Sequence, residues 1–231
     1  MRGNEMSDGR LNGKRVLVTQ AKDYMGPDTI ELFREEGADV IADETDLTHP
    51  DAAQQVVDSA GHIDILVANL AADARFGVMA LDTDEAVWQI AFDVMVHPLH
   101  RLCRAVLPQM YERSEGKIVV YGSATGIRAQ EGVLAYGSAR AAQVGYVRTL
   151  GVEAARHNVQ VNLIAQHFVE NEAYFPAAFQ ATPEFKAELT KVPIGRLAKG
   201  REDALFALFL ASNESDFFVG QSIAFCGGWA E

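Results

Sequence analysis

The 231-residue sequence has few cysteines, few basic residues and no long apolar run, and each shortage excludes a class of protein. Its two cysteines, Cys103 and Cys226, are far apart, so neither a disulfide framework nor a cysteine metal site is expected. The 20 Lys and Arg residues are outnumbered by 32 Asp and Glu, and the net charge of −12 argues against nucleic acid as a partner. The longest stretch without a charged side chain, Phe217–Ala230, has 14 residues, which is too short to span a bilayer.

The beginning of the chain also lacks the apolar core of a signal peptide. Residues 1–12 are polar and charged, and the remaining chain has ordinary globular composition with 48% hydrophobic residues. We therefore expect a polar N-terminal tail, residues 1–12, followed by a single domain, residues 13–231, in the cytoplasm and without a membrane partner.

Short β-branched runs alternate along the sequence with longer segments of helical periodicity. The predicted strands are 14–19, 39–42, 63–69, 117–121, 159–164 and 222–225, and the predicted helices are 28–36, 50–60, two within 83–112, 134–156, 183–191 and 201–212. This alternation predicts an α/β fold: one Rossmann-like, doubly wound parallel sheet with helices on both faces. Residues 165–182 contain four aromatic side chains, and we expect this long segment to be a functional lid.

The turn after the first strand is short of glycine. Glycines at this position let the backbone approach the pyrophosphate of a dinucleotide, but residues 19–28 contain only Gly26. Tyr24 takes up the volume that a phosphate needs, and Asp23 adds a repelling charge. The turn therefore predicts that no nucleotide cofactor is bound, the alternative being a variant loop that binds one differently. Asp43, at the end of the second strand, is then expected to be an ordinary strand-end carboxylate rather than a ribose ligand.

The strongest chemical signal crosses the fourth strand and the helix after it. Ser123 ends the strand at the sheet edge where α/β folds bind ligands, and Tyr136 and Arg140 are one helical turn apart. A phenol is a weak base at neutral pH, but an adjacent guanidinium stabilises the phenolate. The pattern predicts that Tyr136 takes a proton from a substrate hydroxyl held by Ser123. The alternative is a surface Tyr–Arg pair with an unrelated serine.

The order Ser123, Tyr136, Arg140 resembles the active site of the short-chain dehydrogenases/reductases with its lysine changed to arginine. An arginine there, with the aromatic Tyr24 in the glycine-poor turn, resembles the halohydrin dehalogenases, which are cofactor-independent relatives of those reductases. The resemblance covers essentially the whole chain and is closest to the B-type enzymes. The segments that carry it are 11–17, 117–124 and 153–159. It implies a lyase that converts vicinal halohydrins to epoxides with release of halide and a proton, and that in reverse opens epoxides with azide, cyanide or nitrite.

The resemblance also implies where the remaining groups lie, with no cofactor or metal and with a homotetramer as the assembly. The implied halide-binding residues are Tyr24, Gln166, His167 and Phe168. Several family members have Pro-Asn in place of Gln166 and His167, and His167 is either a charged donor or a lid residue hydrogen-bonded elsewhere. Trp229 resembles a tail tryptophan that reaches a neighbouring subunit's site. The residues expected to wall the substrate pocket, rather than only to pack the core, are Tyr174, Phe175 and Phe179.

Other candidate residues have structural interpretations. Asp93, His97 and His100 have metal-like spacing, but Pro98 interrupts them, and we interpret them as interface or helix residues. Asn69, after the third strand, is expected to be structural. Two functional hypotheses compete with the dehalogenase: an NAD(P)-dependent short-chain oxidoreductase, and a non-catalytic binding module on the same fold.

Overall fold

A computed structural model describes residues 9–230 of the chain, and within them six strands form one parallel sheet. The strands are β1 Arg15–Val18, β2 Asp39–Ala42, β3 Ile65–Asn69, β4 Gly116–Tyr121, β5 Val159–Gln166 and β6 Ser222–Phe225. Their order across the sheet is β2-β1-β3-β4-β5-β6, and every neighbouring pair is parallel. The predicted single-domain, doubly wound, Rossmann-like α/β fold is confirmed.

Helices cover both faces of this sheet. They are α1 Gly26–Glu35, α2 Ala52–Ala60, α3 Glu85–Met95, α4 His97–Arg113, α5 Leu134–Ala154, α6 Ala177–Gln180, α7 Pro183–Leu189 and α8 Gly200–Ala211. The predicted pair of helices within 83–112 is α3 and α4, which meet at Val96. Pro98 lies in the first turn of α4, where its missing N–H has no helical acceptor to lose. Within the predicted lid, β5 runs two residues further than expected and the short α6 forms.

The core lies in two layers because the central strands are buried on both faces. Every residue of β3 and β4 is buried, and such continuous apolar runs are typical of parallel strands covered by helices. Leu66 and Leu163 pack toward α2, α4 and α5, whereas Val67 and Ile164 pack toward α1 and α8.

The N-terminal region is packed against this domain from residue 9 onward. Leu11, within the predicted polar tail, is only 1% exposed, and Arg10 forms an ion pair with Glu214. Residues 1–8 and Glu231 lie outside the described residues. No helix between residues 9 and 230 has the length and apolar character needed to cross a bilayer.

The direction of winding reverses between β1 and β3. The chain passes from β1 to β2 on one side and returns to place β3 on the other. In doubly wound sheets the ligand crevice lies beyond the carboxyl ends of the strands at such a switch point. The loops after β1, β3, β4 and β5 therefore form the edge at which a functional site is expected.

Candidate active site

A cavity of about 30 Å³ lies beyond the carboxyl ends of β4 and β5. We call it the inner cavity. The sequence-predicted residues that line it are Ser123, Tyr136, Gln166, His167, Phe168, Tyr174 and Phe175. Its volume holds one or two groups of the size of a water molecule. The structure thus brings the predicted Ser–Tyr pair and the turn after β5 to one small enclosure.

The Ser123 side chain is held by the short helical turn that follows β4. Ser123 is 5% exposed, and its Oγ lies 2.9 Å from the Thr125 hydroxyl and accepts the Thr125 backbone N–H at 3.2 Å. A hydroxyl has one donor and two acceptor sites. When Thr125 donates both of these hydrogen bonds, the Ser123 O–H is left to donate to an oxygen in the inner cavity.

Tyr136 and Arg140 lie on the buried face of α5, one turn apart. The Arg140 guanidinium carbon is 4.9 Å from the centroid of the Tyr136 ring, which is a cation–π geometry. The guanidinium Nη1 lies 2.9–3.0 Å from three acceptors, the backbone oxygens of Leu70 and Tyr121 and the Gln143 Oε1, and because it has two hydrogens, one of them is shared between two acceptors. Arg140 is therefore fixed behind Tyr136 and does not itself line the cavity.

The charge of Arg140 is buried without a carboxylate partner among residues 9–230. Arg140 is 1% exposed, and its Nε has no hydrogen-bond partner in that range. Burial alone would lower the pKa of the guanidinium, but the phenol groups of Tyr136 and Tyr174 beside it raise that pKa above its ordinary value. An uncompensated cation in a buried site favours a negative charge on a neighbouring group.

Tyr174 connects the lid segment to the end of β3. Its hydroxyl donates to the Ala72 backbone oxygen at 2.6 Å, and burial together with neighbouring Tyr136 holds the pKa of Tyr174 well above its ordinary value. Its ring is edge-on to Tyr136 at 6.3 Å and lies 5.2 Å from the Tyr24 ring. Tyr24 therefore packs behind Tyr174 and lines neither the inner cavity nor the larger cavity outside it.

The turn after β5 carries free backbone donors. Phe168 adopts a left-handed conformation with φ 56°. This conformation is unusual for a bulky residue, and residues that adopt it cluster at functional sites. Within residues 9–230, neither the Phe168 N–H nor the Val169 N–H has a hydrogen-bond acceptor, and both residues line the inner cavity. Consecutive N–H groups at a left-handed turn form an anion-binding concavity.

His167 lies between this turn and the C-terminal segment. Its ring packs against Phe168 at 4.1 Å and edge-on to Trp229 at 4.4 Å. Burial, and the charge of Arg128, lower the pKa of His167 to about 4. The imidazole is therefore neutral at neutral pH and is not a charged halide donor, which was one of the two alternatives for this residue.

A second, larger cavity of about 640 Å³ opens outward from the inner one. We call it the outer cavity. Phe76, His167, Phe168, Tyr174 and Phe175 line both cavities, and the predicted pocket residue Phe179 lines only the outer one. Trp229 is 6% exposed and lies in the outer cavity of its own chain.

The crevice at the switch point is crossed by the side chain of Gln20. The Gln20 amide accepts the Ala71 N–H at 2.9 Å and donates to the Ala71 oxygen at 3.2 Å, which joins the turn after β1 to the turn after β3. Asn69 donates to the backbone oxygens of Gln20 and Asp23, so it has the structural role that the sequence predicted. Gln20 and Tyr24 have φ values of 44° and 49°, in the region that favours glycine.

Known proteins place this architecture in a family. The family model described as enoyl-(acyl carrier protein) reductase matches residues 10–230. The chain belongs to the short-chain dehydrogenase/reductase superfamily. Its members similar to this chain include the 3-oxoacyl-(acyl-carrier-protein) reductase FabG of Thermotoga maritima, which is 30% identical over 95% of this chain and 98% of its own. The oxidoreductase UcpA of Salmonella typhimurium is 31% identical over 95% of both chains. A solved structure described as a dehalogenation enzyme is 30% identical, has a TM-score of 0.86 and covers 95% of this chain and 99% of its own.

The residues of the switch-point crevice are poorly suited to the pyrophosphate of a nicotinamide dinucleotide, the cofactor typical of dehydrogenases on this fold. A cavity of about 420 Å³ lies on the far side of Gln20 and shares no lining residue with the inner or outer cavity. Its charged lining is Lys22 with Asp23, Glu44 and Asp46, and Lys22 is paired with Glu44 at 2.6 Å. Excess carboxylate repels a pyrophosphate, and this space shares no lining residue with the inner cavity that contains Tyr136.

The remaining sequence candidates have structural partners. Asp43 accepts hydrogen bonds from the side chain and backbone of Thr45, as a strand-end carboxylate does. The His97 ring is 3.8 Å from Asp93, and the His100 ring is 3.4 Å from the Tyr146 hydroxyl. Residues 9–230 contain no group of three or more His, Cys, Asp or Glu side chains placed to hold a metal.

Three residues of the site were not singled out from the sequence: Thr125, Gln143 and Gln20. Thr125 follows Ser123 by two residues, and this spacing in the sequence could have indicated a hydrogen bond between the two side chains. Gln143 follows Arg140 by three residues on an apolar helix, where a buried amide indicates a polar partner. Gln20 reaches a residue 51 positions away, and no local pattern indicates that contact.

Proposed function

We propose that this protein is a cofactor-independent halohydrin dehalogenase: a lyase that converts a vicinal halohydrin to an epoxide, a halide ion and a proton. The observation that carries the proposal is the Gln20 side chain, whose two hydrogen bonds to Ala71 bridge the turns after β1 and β3 across the switch-point crevice where a dinucleotide would bind. A site with a base and an oxygen donor, in which Gln20 bridges the crevice on the usual cofactor side, suits a reaction that transfers no hydride.

The first step proposed is deprotonation of the substrate hydroxyl. Ser123 donates to the substrate oxygen, and the Tyr136 phenolate, beside the buried charge of Arg140, takes the hydroxyl proton. The resulting alkoxide attacks the neighbouring carbon from the side opposite the halogen. The carbon–halogen bond breaks with its electron pair leaving on the halide, and the proton passes from Tyr136 to solvent. The attack is intramolecular, so positioning supplies much of the rate.

The departing halide requires donors near the inner cavity. The N–H groups of Phe168 and Val169 are free of acceptors within the described residues and belong to residues that line it. The Gln166 side-chain oxygen is buried there without a partner, so its amide is free to turn its NH₂ group to the anion. We assign the halide to this turn, with His167 as a neutral member. Tyr24 does not line the inner cavity and contributes to halide binding only by packing against the ring of Tyr174.

The alternative is an NAD(P)-dependent oxidoreductase. The reductase FabG and the oxidoreductase UcpA are similar over nearly the whole chain, and by name these relatives favour the alternative. The structure described as a dehalogenation enzyme has the same 30% identity as FabG and supports the dehalogenase. Because these levels of identity are equal, the crevice geometry is the reason for preferring the dehalogenase.

Halide release tests the proposal directly. Chloride and acid released from 1,3-dichloro-2-propanol, or bromide from a bromo analogue, are expected with the native protein and no added cofactor. The Tyr136→Phe variant is expected to lose about a hundredfold or more of this activity because it has no base. Tyr146→Phe is the matched control, since Tyr146 lies on the same helix but packs against His100 outside both cavities.

Titration of intrinsic fluorescence with NAD(H) and NADP(H) separates the alternatives. Tight nucleotide binding without halide release would establish the oxidoreductase. If the protein neither binds nucleotide nor releases halide, the non-catalytic binding module is the remaining hypothesis. Full activity of Tyr136→Phe would show that Tyr136 is not the base.

A further inference from the structure

A third cavity, of about 60 Å³, also has Tyr136 in its wall. We call it the side cavity. It lies among the loop after β3, helix α3 and the first turn of α5. Within residues 9–230, Tyr136 is the only residue that lines both the inner and the side cavity, and the outer cavity shares no lining residue with the side cavity. The base of the proposed reaction therefore forms the wall between the inner cavity and a separate space.

The proposed reaction has to remove a proton from Tyr136 after every turnover. The inner cavity measures about 30 Å³, so the reacting hydroxyl and halogen leave no room in it for a water molecule. Arg140 cannot accept the proton, because a guanidinium stays protonated in proteins. The proton therefore needs a way out that the bound substrate does not occupy.

The side cavity has the size and the polar groups to hold water. Its polar lining beside Tyr136 consists of Asp73, Arg75 and Thr83, and the other lining residues are apolar. A volume of this size holds about two water molecules, and a buried water requires polar partners. The Asp73 carboxylate and the hydroxyls of Thr83 and Tyr136 are such partners. A short chain of hydrogen-bonded water molecules between Tyr136 and Asp73 therefore fits the side cavity.

The Asp73 carboxylate is held at the solvent end of this space by a tight turn. Its Oδ1 accepts the Arg75 backbone N–H at 3.0 Å, and its Oδ2 lies 3.5 Å from the Arg75 Nε. Arg75 has a φ of 48°, a left-handed conformation that costs energy for a residue other than glycine and that clusters at functional sites. The Asp73 side chain is 76% exposed although the residue lines the cavity. The carboxylate thus joins the side cavity to bulk water.

We propose that the proton taken up by Tyr136 leaves through the side cavity, with Asp73 as the relay residue between that cavity and bulk water. This inference rests on the proposed function. The Tyr136 O–H bond breaks, the proton moves along the water molecules to the Asp73 carboxylate, and Asp73 passes it to bulk water or to a buffer base. Each turnover thus releases one proton and restores both the phenolate and the carboxylate.

Stopped-flow measurement of the first turnover of 1,3-dichloro-2-propanol tests this route, with a chloride sensor and a pH indicator read together. In the native protein, proton release should keep pace with chloride release. In Asp73→Asn it should lag behind chloride release, and the steady-state kcat should fall about tenfold with little change in KM. Asparagine keeps the Oδ1 acceptor for the Arg75 N–H, so the turn is retained. Imidazole, a small diffusible base, should restore kcat.

Two further variants make the test specific. Asp82→Asn is the matched control and should behave like the native protein, because Asp82 is exposed on the same loop but lines none of the three cavities. Ala91→Val blocks the route in another way, since Ala91 is buried in the wall of the side cavity and the added methyl groups take the space of the water molecules. Ala91→Val should show the same lag, but imidazole should not restore its kcat.

The outcomes separate this inference from the proposed function. Proton release that keeps pace with chloride release in Asp73→Asn, or in Ala91→Val if Asp73→Asn does not fold, would overturn the route while the dehalogenase stands. A lower kcat in Asp73→Asn without a lag and without rescue by imidazole would show a merely structural role and would also overturn it. Absence of chloride release by the folded native protein would overturn the proposed reaction and this inference with it.

Discussion

Gln143 offers the sharpest test of how the protein holds Arg140 behind Tyr136. The side chain is fully buried, accepts from Arg140 Nη1 at 2.9 Å and donates to the Met95 backbone oxygen at 2.8 Å. Gln143→Met keeps the length of the side chain and removes both hydrogen bonds. A hydrogen bond to a charged group contributes about 1.5–3 kcal/mol and a neutral one about 1 kcal/mol. The expected loss in the free energy of unfolding is therefore about 2.5–4 kcal/mol.

Urea unfolding at a fixed protein concentration measures this loss, with the midpoint falling and the slope unchanged. In a thermal scan, a domain of this size should lose roughly 5–15 °C in Tm. Gln54→Met is the matched control, since Gln54 is an exposed helical glutamine with one hydrogen bond, to Asp58 at 2.7 Å. Its effect should stay within about 0.5 kcal/mol.

Activity provides a second measurement on the same variant. Without Gln143, Arg140 keeps only two backbone acceptors for Nη1, and its position behind Tyr136 is less determined. Halide release by Gln143→Met should fall in kcat more than KM changes, because the base and not the substrate pocket is affected. Gln143→Met with a stability and a kcat like those of the native protein would refute the assignment of Gln143 as the residue that positions Arg140.

Two further predictions concern other buried polar groups. Asp203 is fully buried, its carboxylate oxygens have no hydrogen-bond partner within residues 9–230, and burial with the nearby charge of Asp28 holds its pKa well above the ordinary value. As the pH rises through ~4, the ordinary pKa of an aspartate in the unfolded chain, only the unfolded state releases the Asp203 proton. The native protein should therefore lose stability relative to Asp203→Asn between pH 4 and 7. A difference in urea midpoint between the two proteins that stays constant with pH would contradict this. Tyr174→Phe removes the hydrogen bond to Ala72. The loss of about 1–1.4 kcal/mol from this hydrogen bond should lower kcat/KM roughly fivefold to tenfold. Tyr111→Phe is the control and should have no such effect, because the Tyr111 ring stacks on His157 away from the inner and outer cavities, and equal effects of the two variants would contradict a role for Tyr174 in the site.

The elements of the fold were predictable because their signals are local. Buried parallel strands require continuous β-branched or apolar runs, and β3 and β4 lie within one or two residues of the predicted segments. The Ser123–Tyr136 pair was predictable because a strand end and a helical face both follow from periodicity. The end of β5 was not predictable from the sequence, because its last residues are extended only through their pairing with β6, in which Gln166 lies opposite Phe225.

The long-range polar contacts of the site were beyond local reasoning. The sequence indicates that Arg140 and Tyr136 share a helical face. It does not indicate that Arg140 Nη1 donates to the backbone oxygens of Leu70 and Tyr121, or that the guanidinium lies against the Tyr136 ring. The glycine-poor turn predicts a poor phosphate site. That Gln20 closes the crevice is a property of two loops that the fold brings together.

For the proposed dehalogenase reaction, the electrostatics of the site resolve an apparent conflict between an anionic product and an acidic chain. The net charge of −12 acts on a halide mainly beyond the protein surface, where salt screens it over about 8–10 Å. Inside, His167 is neutral, and the positive charge nearest to the base is the buried guanidinium of Arg140, which has no carboxylate partner within residues 9–230. Its field is weakly screened there and acts on the Tyr136 oxygen, while in the proposed reaction neutral N–H groups of the turn after β5 would face the halide. A halide held by neutral donors is bound loosely enough to leave, and the acidic surface then favours its departure.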